Sequence, residues 1–180
     1  MQPVPRVIGP RALSNTFLGD VLQICVVTRD HRRTMEGMVR LGIGPWEIRT
    51  YDASNLSDTT YRGQPAMFSM KICLANTSNM NWEIVEPLSG QSIYSDFLAR
   101  HGEGVQHIAF SWRGVEYDEK LRQFAEHGYT PVQSGRCFGQ CRFDYFATED
   151  DAGTIFETFF APEGFVFPDP EGWYPAPPPG

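Results

Sequence analysis

One local pattern occurs twice in this chain, and a repeat restricts the fold more than any single segment can. Val21–Asp30 (VLQICVVTRD) is an apolar run closed by turn-forming residues, which reads as a strand. Arg32–Leu41 is helical in composition, and Gly42 follows as a helix stop. The same order returns with Val105–Trp112 (VQHIAFSW) as a strand, Val115–His127 as a helix and Gly128 as its stop. Both helix exits place proline three residues after glycine, at Gly42/Pro45 and Gly128/Pro131. Three strand candidates follow each helix: Trp46–Tyr51, Ala66–Ala75 and Asn81–Pro87, then Tyr129–Ser134, Arg142–Thr148 and Gly153–Phe160.

Each half is therefore strand, helix, then three strands, an α+β chain of two tandem βαβββ modules. One helix covers one face of a four-stranded sheet, so the other face must enclose something or stay wet. Two such modules side by side predict a cupped eight-stranded mixed sheet with helices on the outside. The expected boundaries are an extension over 1–19, modules over 20–90 and 105–161, a connecting helix within 91–104, and a tail over 162–180. That tail holds seven prolines in nineteen residues, which predicts an irregular, polyproline-like extension.

Strand alternation identifies what lines the cup. Leu22, Ile24 and Val26 suit the helix side, so Gln23, Cys25 and Val27 face the other way. In the second half Ile108, Phe110 and Trp112 pack outward, leaving His107, Ala109 and Ser111 inside. Gln23 and His107 thus hold equivalent positions, as do Glu83, between Trp82 and Ile84, and Glu157, between Phe156 and Thr158. A carboxylate flanked by strand hydrophobics is costly unless paired or bound to a cation. Gln23, Glu83, His107 and Glu157 together form a donor set for a divalent metal ion such as Zn, Ni, Co, Fe or Mn.

Charge narrows the partners. Fifteen Lys plus Arg against 22 Asp plus Glu leave a net charge of −7 and no basic run, which argues against nucleic acid. No stretch of 18 apolar residues is available to span a membrane, and the proline-bearing start, 1–20, does not read as a signal peptide. Cys25, Cys73, Cys137 and Cys141 are scattered without a disulfide framework, so a cytoplasmic setting is expected.

The paired layout, with isoleucine after Gln23, Glu83 and His107 and phenylalanine before Glu157, resembles the vicinal oxygen chelate superfamily of glyoxalases, epimerases, dioxygenases and bleomycin-resistance proteins. LGIGPWEI (41–48), WEIVEPLSGQSIYSDFLARHGEGVQHIAF (82–110) and ATEDDAGTIFET (147–158) look most like methylmalonyl-CoA epimerases, whereas the Gln, Glu, His, Glu set resembles glyoxalase I. The resemblance implies a small-molecule carbonyl substrate and allows a homodimer, although two halves of one chain suffice for a site.

Departures rank the activities. Gln23 stands where an extradiol dioxygenase places a histidine. The segment 58–65 offers Asp58 but no glutamate for a two-base epimerase, and an intact donor set argues against a purely drug-binding role. The expected chemistry is abstraction of a proton α to a carbonyl, with Glu157 as the base, Glu83 as its alternative, and the enolate stabilised on the metal, as in an isomerase, epimerase or lyase. A non-catalytic binding protein and an iron dioxygenase are the competing readings.

Other conspicuous residues carry weaker expectations. Met67, Phe146 and Phe159 are candidates to line an apolar pocket, and Lys71 to meet an anionic substrate. Tyr61 and Arg62 lie in an expected loop over the pocket. Arg142 and Asp144 suggest a cross-strand ion pair, and the tail aromatics suggest packing along the domain.

Overall fold

The computed structural model describes residues 17–111 and 116–179; Trp112 and Val115 lie outside them. The first half contains β1 (Val21–Val27), α1 (His31–Arg40), β2 (Trp46–Tyr51), β3 (Leu56–Tyr61), β4 (Gln64–Pro65), β5 (Ser69–Asn76) and β6 (Asn81–Ser89). After α2 (Ile93–Arg100) come β7 (Gly104–Ser111), α3 (Tyr117–Glu126), β8 (Pro131–Cys137), β9 (Cys141–Phe146), α4 (Glu149–Ala152), β10 (Ile155–Phe160) and β11 (Gly172–Tyr174).

Local chemistry sets the helix limits. The Asp30 carboxylate accepts from the Arg33 amide at 3.0 Å and caps α1, and Gly42, at φ +83, takes the left-handed turn that ends it. Ser92 and Ser95 bond reciprocally at the start of α2.

All strands join one sheet in the order β11-β2-β5-β6-β1-β7-β10-β9-β8-β3-β4. The repeat is visible in its middle: β1 runs parallel to β6, β7 runs parallel to β10, and β1 meets β7 antiparallel. The eight expected strands are joined by three more. β3 is the informative addition, because it leaves the first half and pairs with β8, at the far edge of the second. Yet a turn of only four residues, 52–55, separates it from β2. Five residue steps span at most about 17 Å, so the two ends of the sheet must curl towards each other. The join is sealed where the Phe138 amide donates to the Asn55 carbonyl at 2.8 Å and the Tyr51 and Phe138 rings meet at 5.4 Å.

Two helices cover the outer face. α1 buries Met35 against Trp46, Cys73, Ala75 and Ile84, and α3 stacks Phe124 on Phe146 at 3.6 Å. α2 differs from the outward placement expected of the helices. Its Ile93, Tyr94 and Leu98 pack with Cys25, Val27 and Val85 inside the curl, so it plugs one end of the cup. The tail also differs from expectation. Gly172–Tyr174 forms an antiparallel strand on the open edge of β2, because Trp173 and Tyr174 are strand formers and that edge has donors to spare.

Candidate metal centre

The sheet register brings the four expected donors to one place. Cys25 on β1 lies opposite both Glu83 and His107, while Ala109 on β7 lies opposite both Gln23 and Glu157. The pseudo-twofold relation therefore exchanges Gln23 with His107, Glu83 with Glu157, and Cys25 with Ala109. Two adjacent rows of the sheet carry the whole set, and all of it comes from one chain.

Three of the four touch directly. His107 Nε2 is 3.1 Å from Glu83 Oε2 and 3.2 Å from Glu157 Oε2. All three residues are buried, with His107 wholly enclosed, and none of these three atoms has a hydrogen-bond partner beyond the other two. Two donors each about 2.1 Å from one ion lie roughly 3.0 Å apart at a right angle and 3.4 Å apart at the tetrahedral angle. Both His107–carboxylate separations fall in that interval, as donors to one divalent cation would, and the ligand atoms that all lie within 4.8 Å of one another are those of Cys25, Glu83 and His107. Gln23, Glu83 and Glu157 line a common cavity of about 330 Å3, with His107 behind them.

Electrostatics agree with the geometry. Burial pushes the Glu157 carboxyl above its usual range, partly offset by His107, while nearby Glu83 raises it further. Burial pushes His107 down, but Glu157 and then Glu83 outweigh it and hold its pKa at about 9. Two acidic side chains that repel each other in a dry site favour any cation placed between them, and a charge of +2 would balance both.

Sequence reasoning missed the supporting groups. Gln106 Oε1 accepts from His107 Nδ1 at 2.6 Å, which leaves Nε2 as the ring nitrogen that faces the carboxylates. The Tyr94 hydroxyl donates to that of Tyr145 at 2.7 Å, and Tyr145 lies near enough to Glu157 to lower its pKa slightly. The Cys25 thiol lies within 4.8 Å of donor atoms on Glu83 and His107, so it is a further candidate ligand. Parity pointed Cys25 inward, but only the pairing of β1 with both neighbours sets it among the donors.

Several lesser expectations resolve differently. Phe159 lines the cavity, but Met67 is 77% exposed and Phe146 is sealed beneath α3. Lys71 is held outside by Thr50 and by Glu171 at 2.8 Å. Arg142 pairs with Asp118 rather than across the sheet, and Asp144 accepts from the Tyr117 hydroxyl at 2.6 Å. Tyr61 and Arg62 belong to the β3–β4 hairpin, where both bind Asp96. Asp58, 75% exposed at its side chain, meets Arg136 at 3.3 Å, away from the cavity.

Paired βαβββ modules around facing donors define the vicinal oxygen chelate class of fold. Residues 22–145 match the Glyoxalase/Bleomycin resistance protein/Dioxygenase superfamily, and the chain belongs to it. Among solved structures, a hypothetical protein from Bacillus halodurans C-125 is 17% identical, with a TM-score of 0.62 over 82% of this chain and 98% of that one. Methylmalonyl-CoA epimerase from Mycobacterium tuberculosis is 18% identical, with a TM-score of 0.57 over 84% and 93%. The Streptomyces coelicolor methylmalonyl-CoA epimerase, in complex with 2-nitronate-propionyl-CoA, is 20% identical, with a TM-score of 0.55 over 84% and 99%. At these identities the likeness is one of fold. A search of curated proteins gave no match. Among the described residues, no helix is long and apolar enough to cross a membrane.

Proposed function

We propose that the protein is a divalent-metal-dependent enzyme of the glyoxalase and epimerase type, moving a proton on the carbon α to a carbonyl of a small molecule. The observation that carries this reading is the convergence of three buried atoms, Glu83 Oε2, His107 Nε2 and Glu157 Oε2, which have no hydrogen-bond partner beyond one another. Gln23, Glu83, His107 and Glu157 would hold the ion, with Cys25 the further candidate. When bound, the ion supplies Lewis acidity that lowers the cost of negative charge on the carbonyl oxygen.

The chain's own groups supply the rest. Glu157 faces the cavity and takes the α-proton at its carboxylate, and its burial raises its affinity for that proton. Tyr145 lies beside that carboxylate and favours its ionised form, and Glu83 stands on the other side of His107 as the alternative base. α2 closes one end of the cup, which limits water at the reacting carbon. This assigns an isomerase, epimerase or lyase. All four cysteines are free and buried, which suits a reducing, cytoplasmic setting.

The test has two parts: elemental analysis of the purified protein, and solvent-deuterium exchange at the α-carbon across a panel of carbonyl compounds. Glu157→Gln should slow exchange by about a hundredfold or more, the usual worth of a general base. A protein that takes up no metal, or a fully active variant, would sink the proposal. The largely apolar cavity also supports a second reading, a non-catalytic binding protein. That reading predicts ligand binding indifferent to chelators and exchange at no substrate.

A further inference from the structure

We infer that the C-terminal segment, residues 162–174, is part of the substrate site, and that it fits the cup to a substrate whose carbonyl is carried on an aromatic group, with Phe167 as the stacking contact. The inference deepens the proposed function and rests on that reading only in taking the cup as the substrate site.

The segment lies beyond the superfamily match, which ends at residue 145, yet it is fastened to the cup wall at several points. The Arg49 guanidinium donates to the Pro168 carbonyl. Glu171 accepts from the Thr50 amide and pairs with Lys71, and Gly172–Tyr174 extends the sheet on β2. These anchors fall on β2 and its neighbour β5, on one flank of the cavity. They hold Phe167 against it, 6.3 Å from Phe159 and 6.0 Å from Phe138, with the Arg49 guanidinium 5.8 Å from its ring centre.

The tail's aromatic residues play different parts. Phe165 packs against the core, as tail aromatics commonly do, but Phe167 lines the cavity and stays 37% exposed. An apolar ring fixed by its neighbours and left partly exposed on a cavity wall is best covered by another ring, since aromatic pairs add attraction beyond area burial. Tyr51, Phe143 and Phe159 line the same space.

Register gives the reach. Glu47 on β2 lies opposite Leu74, and Leu74 lies opposite Glu83, so the tail-bearing strand stands two strands from the donor set. At about 4.8 Å per strand that is roughly 10 Å. A fused bicyclic aromatic ketone spans it, whereas a short aliphatic carbonyl would leave the Phe167 end empty.

The test uses 2-acetylnaphthalene as a fluorescent probe on the full-length protein as purified, with and without EDTA, and its saturated counterpart 2-acetyldecalin as competitor. The naphthyl ketone should bind several-fold more tightly than the saturated one. Phe167→Ala should weaken it about tenfold and Phe167→Leu by less, with little change for 2-acetyldecalin. Circular dichroism checks that both variants stay folded. Equal binding of the two ketones, no binding of the naphthyl ketone, or unchanged binding in both variants would overturn the inference. Because binding is read with the chelator present as well, a failure of metal dependence registers separately, in the elemental analysis.

Discussion

Gln106 offers a sharp way to perturb the candidate centre without touching a donor to the ion. Its amide oxygen is 2.6 Å from His107 Nδ1, and the residue, 1% exposed, does not line the candidate cavity, so its effect on an ion must pass through the imidazole. Removing such a supporting group costs about 10- to 100-fold in metal affinity. With free ion well above both dissociation constants, that ratio becomes a stability difference of about 1.4 to 2.7 kcal/mol between the ion-bound forms. For a chain of this size each kcal/mol moves the melting temperature by about 2–4 °C. Gln106→Ala should therefore shrink the ion-induced rise in Tm by roughly 3–11 °C. The assay is differential scanning fluorimetry with Zn, Co or Mn in excess and, separately, with chelator. Taking the rise within each variant removes the destabilisation that truncating a buried amide causes by itself. An ion-induced rise as large in the variant as in the wild type would refute the link from Gln106 through His107 to the ion.

Three further outcomes follow from other parts of the structure. Phe124→Ala, which removes the ring stacked on Phe146 beneath α3, should cost about 3–5 kcal/mol in chemical denaturation and leave ion binding intact. Glu103 accepts from the Arg29 amide, Arg33 and Thr28, which together hold its carboxyl down at about 2. Its folded value lies below its unfolded value, so its contribution is present above about pH 4.5 and fades as pH falls towards 2. Glu103→Gln should flatten that stretch of the stability profile while the plateau at neutral pH drops. Arg142→Ala breaks an ion pair with the exposed Asp118, and should leave turnover unchanged in the α-proton exchange assay.

That Gln23, Glu83, His107 and Glu157 share one part of the sheet was legible because it depends on short-range rules. Alternation decides which way Gln23, Glu83, His107 and Glu157 point, and the repeat decides that they meet. What escaped the sequence depends on pairing over long separations. The segment 56–61 carries strand formers, but Asp58 at φ +52 breaks its alternation, and its partner β8 lies more than seventy residues away. The Gly-Trp-Tyr strand is set among prolines that signal irregular chain, and it forms because β2 presents an open edge. Gln106 adjoins His107 in sequence, yet its role appears only when both side chains are buried together. Arg49 and Tyr51 share the inward parity of Glu47, so alternation alone could have placed them in the cavity.

The central claim is that Gln23, Glu83, His107 and Glu157 hold one divalent ion. Anomalous diffraction from crystals grown with Co or Zn addresses it directly. The account predicts a single strong peak about 2.0–2.2 Å from His107 Nε2 and from carboxylate oxygens of Glu83 and Glu157, with Gln23 completing the set. A peak only at surface residues, or none between those two carboxylates with the ion in excess, would contradict it.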